Sequence, residues 1–216
     1  MAKIIGVVQV KGGAGRSTVS TNLAGELSKK GKTILIDCDM PQGTAASWYS
    51  VRQDRKPSTN LLADTAATHR ELVAKVEEYS DADYIVLDGP PRIAELTRAI
   101  LVLADAVLVP IGASAAEVWA TTDVLELIEE AKAVKPIVAR MVWTRFRAAT
   151  KLAQGLSEMA AKELGLAALD TTLGMRVAFV EALGDGLTVT ELSDQAAKAE
   201  GIALVEETIK LLRKKK

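Results

Sequence analysis

The sequence predicts an α/β fold, in which a mostly parallel, twisted sheet of about seven strands carries helices on both faces. Short apolar and β-branched runs alternate with longer amphipathic stretches, which is the pattern of consecutive βαβ units. The 216 residues are 49% apolar but only 4% aromatic, so aliphatic side chains must fill the core between sheet and helices. Because no repeat or linker interrupts this pattern, residues 1–216 are expected to form a single domain.

The individual elements follow from this alternation. Strands are expected at residues 4–9, 33–37, 60–64, 84–88, 106–109, 137–142 and 166–170. Helices are expected at residues 17–30, 43–54, 69–79, 93–103, 115–133, 151–164, 177–183 and 191–213. Ligands of such sheets bind beyond the carboxyl ends of the strands. The segments that follow the first, second and fourth strands are therefore expected to meet at one edge.

Composition narrows the possible classes of function. The formal net charge is −1, so a nucleic-acid partner would need a local basic patch. The one cysteine, Cys38, excludes a disulfide and a cysteine-rich metal site within one chain, and it suits a reducing cytosol. The sequence shows no signal-peptide pattern and no apolar run of roughly 18–20 residues. A soluble cytoplasmic protein is therefore expected.

The most informative stretch is QVKGGAGRSTVST, residues 9–21, which lies between the first strand and the first helix. Glycines let consecutive backbone N–H groups turn toward an anion, and the helix N-terminus adds its dipole. A basic side chain and a hydroxyl after the last glycine would reach terminal phosphates and Mg²⁺. Two positions depart from the general phosphate-loop pattern, because Val10 replaces its first glycine and Arg16 its lysine. A lysine, Lys11, instead precedes the double glycine.

Carboxylates follow two of the apolar strands. Asp37 and Asp39 leave the second strand, and Asp88 ends the fourth, immediately before Gly89. Such carboxylates can hold a hydrated Mg²⁺ and orient an attacking water, and the Gly89 N–H could sense a γ-phosphate. Alternatively, Asp37 caps its strand, Asp39 N-caps the next helix, and Asp88 merely precedes a turn. Their order along the chain, after a phosphate loop, favours a nucleotide site.

Together the segments KGGAGRST, DCDMPQG and LDGPP resemble the ParA/MinD family of deviant Walker-A ATPases, and they are most similar to its small ParA branch. The stretches TRFRAATK (144–151) and MRVAFVEALGDGLTVTEL (175–192) are similar to the closing segments of that branch. The lysine before the double glycine is the most specific of these features. The resemblance implies that residues 1–216 form one ParA-type nucleotide-binding domain of the P-loop NTPase fold, which uses ATP/ADP and Mg²⁺.

The resemblance also implies roles for individual residues. Lys11 would reach across a dimer interface to the partner subunit's nucleotide, and Asp39 would orient the attacking water. The implied catalytic residues are Lys11, Asp39 and Arg16. The implied nucleotide contacts are Lys11, Gly12, Gly13, Ala14, Gly15, Arg16, Ser17, Thr18, Thr144, Arg145 and Met175. The implied metal positions are Ser17, which binds Mg²⁺ directly, and Asp37 and Asp88, which bind through water. Pro41 and Gln42 match the first switch, although Met40 is inserted before them.

Arg16 is the main departure from the resembled family. Arginine keeps the charge of the family's lysine, but it is longer, planar and forked, so it cannot reproduce the point contact of an ammonium. Three interpretations stay open. The site binds ATP and hydrolyses it slowly, it binds ATP or ADP without useful turnover, or the arginine is an engineered substitution that traps one nucleotide state.

The function that the resemblance implies is positioning or segregation of DNA or another cargo, in the cytoplasm and on the nucleoid. It would require an ATP-dependent homodimer, nonspecific DNA binding and a ParB-like or adaptor protein that stimulates hydrolysis. The candidate cations for DNA are Arg140, Arg145, Arg147, Lys151, Arg176, Lys198, Lys210 and Arg213. Alternatively, these residues are solvated helix faces and a frayed chain end.

Other functions are less compatible with the sequence. The last helix carries an apolar stripe before its basic end, as in the membrane-bound MinD branch, but it lacks large aromatics, so packing on the sheet is favoured. The stripe comprises Ile202, Val205, Ile209 and Leu212. A monomeric phosphate-loop kinase or ligase would need positioned acid–base groups, whereas the lone His69 is expected at the surface. An iron–sulfur relative would need two cysteines per chain, and Cys38 is alone.

Overall fold

The computed structural model describes residues 1–91, 94–147, 155, 160 and 162–213. Its strands are β1 (Lys3–Val7), β2 (Thr33–Asp37), β3 (Leu61–Thr65), β4 (Tyr84–Asp88), β5 (Ala106–Gly112), β6 (Val138–Phe146) and β7 (Ala168–Gly174). They form one sheet in the order β3-β2-β4-β1-β5-β6-β7, and every neighbouring pair is parallel. The predicted fold class is therefore confirmed, and the sheet is wholly rather than mostly parallel.

Eight helices are present among the described residues. They are α1 (Arg16–Leu27), α2 (Thr44–Arg55), α3 (His69–Glu78), α4 (Ala94–Leu103), α5 (Ala115–Ala120), α6 (Thr122–Lys132), α7 (Val177–Gly184) and α8 (Gln195–Arg213). A short 3₁₀ turn, Val189–Glu191, precedes α8. The helix predicted at 151–164 lies largely outside the described residues.

Alternate side chains of the central strands enter two separate cores. Ile34 and Ile36 of β2 pack with residues of α3 to α6, whereas Leu35 between them packs with residues of α1, α2, α7 and α8. All three side chains are fully buried. Because helices cover both faces, the strands read as continuous apolar runs, which is why the sequence reveals them.

The last two strands extend further toward the carboxyl edge than the predicted ranges, 137–142 and 166–170. The pairing of β6 with β7 shifts register between Met141 and Trp143, and again before Phe146. The shifts interrupt the apolar pattern while the strand pairing continues, so the pattern alone predicts too early an end. Consequently Thr144 and Arg145 lie on a strand rather than in a loop.

One predicted helix, 115–133, is broken into α5 and α6 at Thr121. Its hydroxyl donates to the Glu117 carbonyl oxygen at 2.8 Å and accepts from Gln9 Nε2 at 3.0 Å. A threonine that bonds back to the preceding turn competes with regular helix geometry. The break leaves α5 as a separate short helix beside the carboxyl edge of β5.

The C-terminal helix α8 packs on the sheet, as expected, and three of the four predicted stripe residues contribute to this packing. Val205 is buried, and Ile209 and Leu212 are partly buried against the same core. The buried face of α8 comprises Ala197, Gly201, Leu204, Val205, Thr208 and Leu211. Ile202 was expected on that face and is 48% exposed, so this part of the prediction is wrong. The small residues Ala197 and Gly201 let the helix approach its neighbours closely. A prediction based on large apolar side chains does not identify such positions. Among the described residues, no helix has the length and apolarity needed to cross a membrane.

Candidate nucleotide-binding site

The loop between β1 and α1 forms an open anion cradle. Gly13 and Gly15 have φ values of 76° and 94°, in the left-handed region that favours glycine. Helix α1 starts at Arg16 without a side-chain cap and without an acidic residue in its first turn. Its first N–H groups can therefore bind an anion, which the helix dipole also favours. A Cβ at Gly15 would lie 3.2 Å from Thr144 Cγ2, so glycine is also needed for the approach of β6.

Arg16 is folded beneath this cradle and is only 6% exposed. Its Nε donates to the Gly89 carbonyl at 2.7 Å. Its Nη1 donates to the carbonyls of Gln9 at 2.8 Å and Lys11 at 2.7 Å. Its Nη2 lies 3.4 Å from Asp39 Oδ2. The guanidinium thus links the phosphate loop to the loops after β2 and β4. A lysine could not make all of these contacts, because the three donors of an ammonium share a single nitrogen.

The beginning of the phosphate loop is held by a side chain that the sequence did not single out. The amide of Gln9 is 1% exposed, and its Nε2 donates to the Pro110 carbonyl at 3.2 Å and to Thr121 Oγ1 at 3.0 Å. Its Oε1 accepts from the Lys11 N–H at 3.5 Å. Gln9 therefore anchors the loop to β5 and to the break between α5 and α6.

The two carboxylates at the end of β2 make different contacts. Asp37 is fully buried, and its two oxygens accept from the N–H groups of Asp39 and Ala46, both at 2.9 Å. Ala46 lies in the first turn of α2, whose N-cap is Gly43. The alternative that Asp39 N-caps this helix is therefore wrong, because Asp37 reaches it instead and Asp39 faces Arg16.

Asp88 lies beside Asp37 in the paired strands and accepts two hydroxyl hydrogen bonds. Ser17 Oγ donates at 2.7 Å and Ser20 Oγ at 2.9 Å. Burial, and then the charge of Asp37, raise the pKa of Asp88 to about 7, against the opposing effect of the two serines and Arg16. Ser20 was missed by sequence reasoning, although its position three residues after Ser17 places both on one helix face.

The predicted use of the Gly89 N–H is wrong. This N–H donates to the Val7 carbonyl at 2.9 Å and so continues the β1–β4 ladder. Only the carbonyl of Gly89 faces the cradle, where it binds Arg16. In this conformation the Gly89 N–H already donates to Val7, so it is not available to a γ-phosphate.

The donor set beside the cradle fits a Mg²⁺–phosphate complex. Ser17, Asp37 and Asp88 offer hard oxygen atoms, but both oxygens of Asp37 already accept backbone N–H groups. The described residues contain no group of three or more His, Cys, Asp or Glu side chains that could hold a metal ion. Phosphate oxygens and waters would therefore complete the coordination, and the cation would lower the raised pKa of Asp88 again.

The free energy of unfolding of the nucleotide-free protein should fall as the pH rises from about 4 to about 7 through the titration of Asp88. The folded-state pKa is raised above the unfolded value, so in this window the native state binds more protons than the unfolded state. Urea unfolding at pH 5 and pH 8 in EDTA measures the change. Asp88→Asn, which keeps the shape without titrating, should flatten it; an unchanged pH dependence in this variant would contradict the assignment.

Lys11 lies on the outer side of the loop, and its side chain is 37% exposed. Its Nζ lies 3.3 Å from Glu117 Oε1, and Arg145 Nη2 lies 3.2 Å from the same oxygen. The two cations of the loop, Lys11 and Arg16, thus occupy different depths. Arg16 is enclosed by its own chain, whereas Lys11 is partly exposed and ends at Glu117.

A cavity of about 460 Å³ adjoins the loop, between the carboxyl ends of β6 and β7 and helix α7. This volume is within the range of small-molecule sites. Thr144 donates to the Ala14 carbonyl at 2.8 Å and joins the cavity wall to the loop. Thr18, Arg145 and Met175 also line the cavity, so several of the predicted nucleotide contacts lie on one surface.

Part of this wall was missed by sequence reasoning. Phe179, Val180 and Leu183 of α7 line the cavity, beside the predicted Met175. Val180 is 72% exposed. The available signal was the run VAFVEALG, which is apolar around most of its circumference and therefore needs contacts on several sides.

Two predicted features lie at the periphery. Met40, Pro41 and Gln42 are exposed on the loop between β2 and α2, so their assignment as a first switch stays a prediction. His69, the first residue of α3, contacts Glu95 Oε1 at 2.8 Å with its side chain 40% exposed. It lies at the surface, as expected.

The parallel sheet and its glycine-rich loop before α1 define an α/β protein of the phosphate-loop class. Residues 5–189 match the CobQ/CobB/MinD/ParA nucleotide binding domain. The chain therefore belongs to this ParA/MinD family of nucleotide-binding proteins.

Individual relatives are similar to this chain over most of its length. The Maintenance of carboxysome distribution protein A of Halothiobacillus neapolitanus is 26% identical over 198 residues, which cover 90% of each chain. The Chromosome-partitioning ATPase Soj of Thermus thermophilus is 28% identical over 217 residues, with 87% of each chain covered. A complex of a Cyanothece McdA variant with ATP shares the fold with a TM-score of 0.81 at 17% identity, covering 96% of each chain.

Proposed function

We propose that this chain is an ATP-dependent dimerising switch of the ParA type, which positions or segregates DNA or another cargo. The observation that carries the proposal is the different depth of the two cations at the phosphate loop. Arg16 is 6% exposed and held by its own chain, whereas the side chain of Lys11 is 37% exposed and contacts Glu117. Arg16 therefore stays with its own chain, while Lys11 remains accessible to the nucleotide of a second copy.

The site residues support ATP binding in a defined orientation. The N–H groups at the start of α1 would receive the phosphates, and the cavity beside Thr144 and Met175 would receive the base and ribose. Mg²⁺, when bound, would neutralise phosphate charge beside Ser17, Asp37 and Asp88. Asp39 would accept a hydrogen bond from the attacking water, although its carboxylate also faces Arg16 at 3.4 Å. We infer that hydrolysis is slow for this reason.

The proposed DNA contact is confined to part of the basic residues. Arg145 and Arg176 are paired with Glu117 and Glu200 close to the cavity, so they belong to the nucleotide site. Arg140 and Lys210 border a smaller cavity of about 180 Å³. Arg213 is exposed at the end of α8. We propose these three as phosphate contacts; Lys151 lies outside the described residues.

The proposed cycle needs a second protein and a location. Slow hydrolysis would keep the dimer on DNA until a ParB-like or adaptor protein stimulates turnover and release. Among the relatives, one protein is named for carboxysome distribution and another for chromosome partitioning, so cargo differs within the family. We propose a cytoplasmic, nucleoid-associated protein whose cargo is a DNA region or a protein assembly.

Lys11→Ala should raise the dissociation constant of the ATP-dependent dimer by at least about tenfold, because a cation facing the second nucleotide is worth roughly 1.5–3 kcal/mol. Multi-angle light scattering with a slowly hydrolysed ATP analogue and Mg²⁺ measures the dimer fraction. Electrophoretic shift of arbitrary duplex DNA, measured with the same samples, should be lost together with the dimer.

The matched control is Lys30→Ala, which removes an exposed lysine in the turn after α1. It should dimerise and shift DNA as the unmodified chain does. An unchanged dimer fraction in Lys11→Ala, or a chain that stays monomeric with the analogue, would contradict the proposed switch and would favour a monomeric phosphate-loop enzyme.

A further inference from the structure

A single carboxylate, that of Glu117, joins the two sides of the nucleotide site. Its Oε1 lies 3.3 Å from Lys11 Nζ on the phosphate loop and 3.2 Å from Arg145 Nη2 on the rim of the cavity. Its Oε2 accepts from the Gly112 N–H at 3.4 Å. Residues from three separate segments, the phosphate loop, the end of β5 and the end of β6, therefore converge on one side chain.

The backbone around Glu117 is arranged for this contact. Gly112 leaves the necessary space, because a Cβ there would lie 3.1 Å from Glu117 Cδ and 2.9 Å from Arg145 Nη2. Ser114 caps α5 by accepting from the Glu117 N–H at 3.2 Å, which fixes the start of the side chain. Arg145 has a φ of 51°, an unusual value for a residue other than glycine. The contact is thus built into the end of β5 and the start of α5.

The exposure of the three charged groups is unequal. The Glu117 side chain is 11% exposed, whereas those of Lys11 and Arg145 are 37% and 51% exposed. A largely buried carboxylate that lost all its cations would be strongly unfavourable. With two cations on one oxygen, either can leave while the other remains. Glu117 can therefore release Lys11 without becoming an unpaired buried charge.

We propose that Glu117 is a positioning residue that holds Lys11 within its own chain before dimerisation, and that the exchange of Lys11 from Glu117 to the partner's nucleotide is the step that gates the dimer. This proposal rests on the dimerising switch proposed above. Arg145 couples the gate to the cavity that it lines, because its remaining contact with Glu117 is what lets Lys11 leave without stranding the carboxylate. Breaking the contact between Lys11 and Glu117 costs free energy, which the dimer contacts must outweigh.

The first test uses Glu117→Gln, which keeps the shape and the acceptor for Gly112 but removes the charge. In the nucleotide-free protein, limited acetylation with peptide mass spectrometry should label Lys11 about two- to fivefold faster than in the unmodified chain, while Lys30 keeps its rate. With the ATP analogue, the dimer dissociation constant should fall by about fivefold, which corresponds to about 1 kcal/mol.

Two further variants separate this gate from a structural role. Glu126→Gln makes the same chemical change on an exposed position of α6 and should alter neither readout. Arg145→Met leaves Lys11 as the only side-chain cation of the three-way contact, so nucleotide-free labelling of Lys11 should slow rather than accelerate. Thermal unfolding of each variant establishes that it is folded.

The outcomes distinguish the gate from the switch. If the unmodified chain dimerises but Glu117→Gln leaves labelling and dimerisation unchanged, or weakens the dimer, the gate is overturned and the switch stands. If no chain dimerises with the analogue, the switch fails, and the labelling of Lys11 still reports whether Glu117 holds it. If Glu117→Gln does not fold, slowed labelling in Arg145→Met supports the hold on Lys11, and an unchanged rate overturns it.

Discussion

Arg16→Lys is expected to raise the single-turnover rate of ATP hydrolysis by about a hundredfold, the lower end of the scale associated with one preorganised donor at a transition state. In the present chain the guanidinium donates to three carbonyls and faces Asp39, so much of its hydrogen-bonding capacity is used by the protein itself. A lysine ammonium is a compact charge that can lie along the phosphates. It would also release Asp39, the proposed partner of the attacking water.

The same substitution should lower the free energy of unfolding by about 1–2 kcal/mol, because at least one buried carbonyl loses its donor. Gly89 is the carbonyl that an ammonium bound to the phosphate loop would abandon. Activity and stability should therefore move in opposite directions, as is common when a binding site is relaxed. A change in the same direction would contradict the proposed role of the guanidinium as a link between loops.

Single-turnover hydrolysis, with enzyme in excess over labelled ATP, measures the first effect, and urea unfolding measures the second. Arg55→Lys is the matched control, because Arg55 pairs with Asp185 at the surface of α2 and is 54% exposed. Its hydrolysis rate should equal that of the unmodified chain. If Arg16→Lys also leaves the rate unchanged, arginine at this position does not limit the chemistry.

The parts of the site that could be predicted are those marked by residue type and by position next to an apolar run in the sequence. Asp37 and Asp88 end their strands, and Gly13 and Gly15 lie between β1 and α1, so the end of an apolar run and the residue type are visible together. Their mutual approach follows from the rule that the carboxyl ends of parallel strands share one edge. For these residues, fold class and position in the chain are sufficient.

The parts that could not be predicted depend on contacts between distant segments. Gln9 contacts Pro110 and Thr121, and Lys11 contacts Glu117, more than one hundred positions away. No periodicity in the sequence distinguishes such a glutamine or glutamate from a solvated one. The orientation of Gly89 also depends on a distant segment. The β1–β4 register determines whether its N–H or its carbonyl faces the cradle.

A buried ion pair away from the chemistry should have the largest effect on stability. Arg52 of α2 donates to both oxygens of Glu191 at 2.9 and 3.1 Å, and their side chains are 4% and 6% exposed. Lys56 also contacts Glu191 at 2.8 Å, and the Thr188 N–H donates to it at 2.8 Å. The contact fixes the end of α2 to the 3₁₀ turn before α8, on the face of the sheet that also carries α1.

Glu191→Gln should therefore lower the free energy of unfolding by about 3 kcal/mol, because it leaves the Arg52 cation buried without its counter-charge. Arg52 already has one unpartnered donor, Nε, and its remaining favourable neighbours are the Gly186 carbonyl, which accepts from Nη1 at 3.0 Å, and the Trp48 ring, 5.3 Å from Cζ. Urea unfolding at neutral pH measures the loss. Glu130→Gln is the control, because Glu130 makes a similar contact to Arg98 at the surface, with side chains 55% and 49% exposed. This control should unfold as the unmodified chain does.

The pH dependence gives an independent check on the same residue. Burial by itself raises the pKa of Glu191, but hydrogen bonds from Arg52, Lys56 and the Thr188 N–H outweigh it and lower the pKa to about 2. A depressed folded-state pKa contributes stability that is present above the unfolded value near 4.5 and is lost as the pH falls toward about 2. Between pH 5 and pH 2 the unmodified chain should thus lose more stability than Glu191→Gln. Parallel curves would mean that the Arg52 cation is neutralised by another group, and a double-mutant cycle with Arg52→Met would then give a coupling energy near zero.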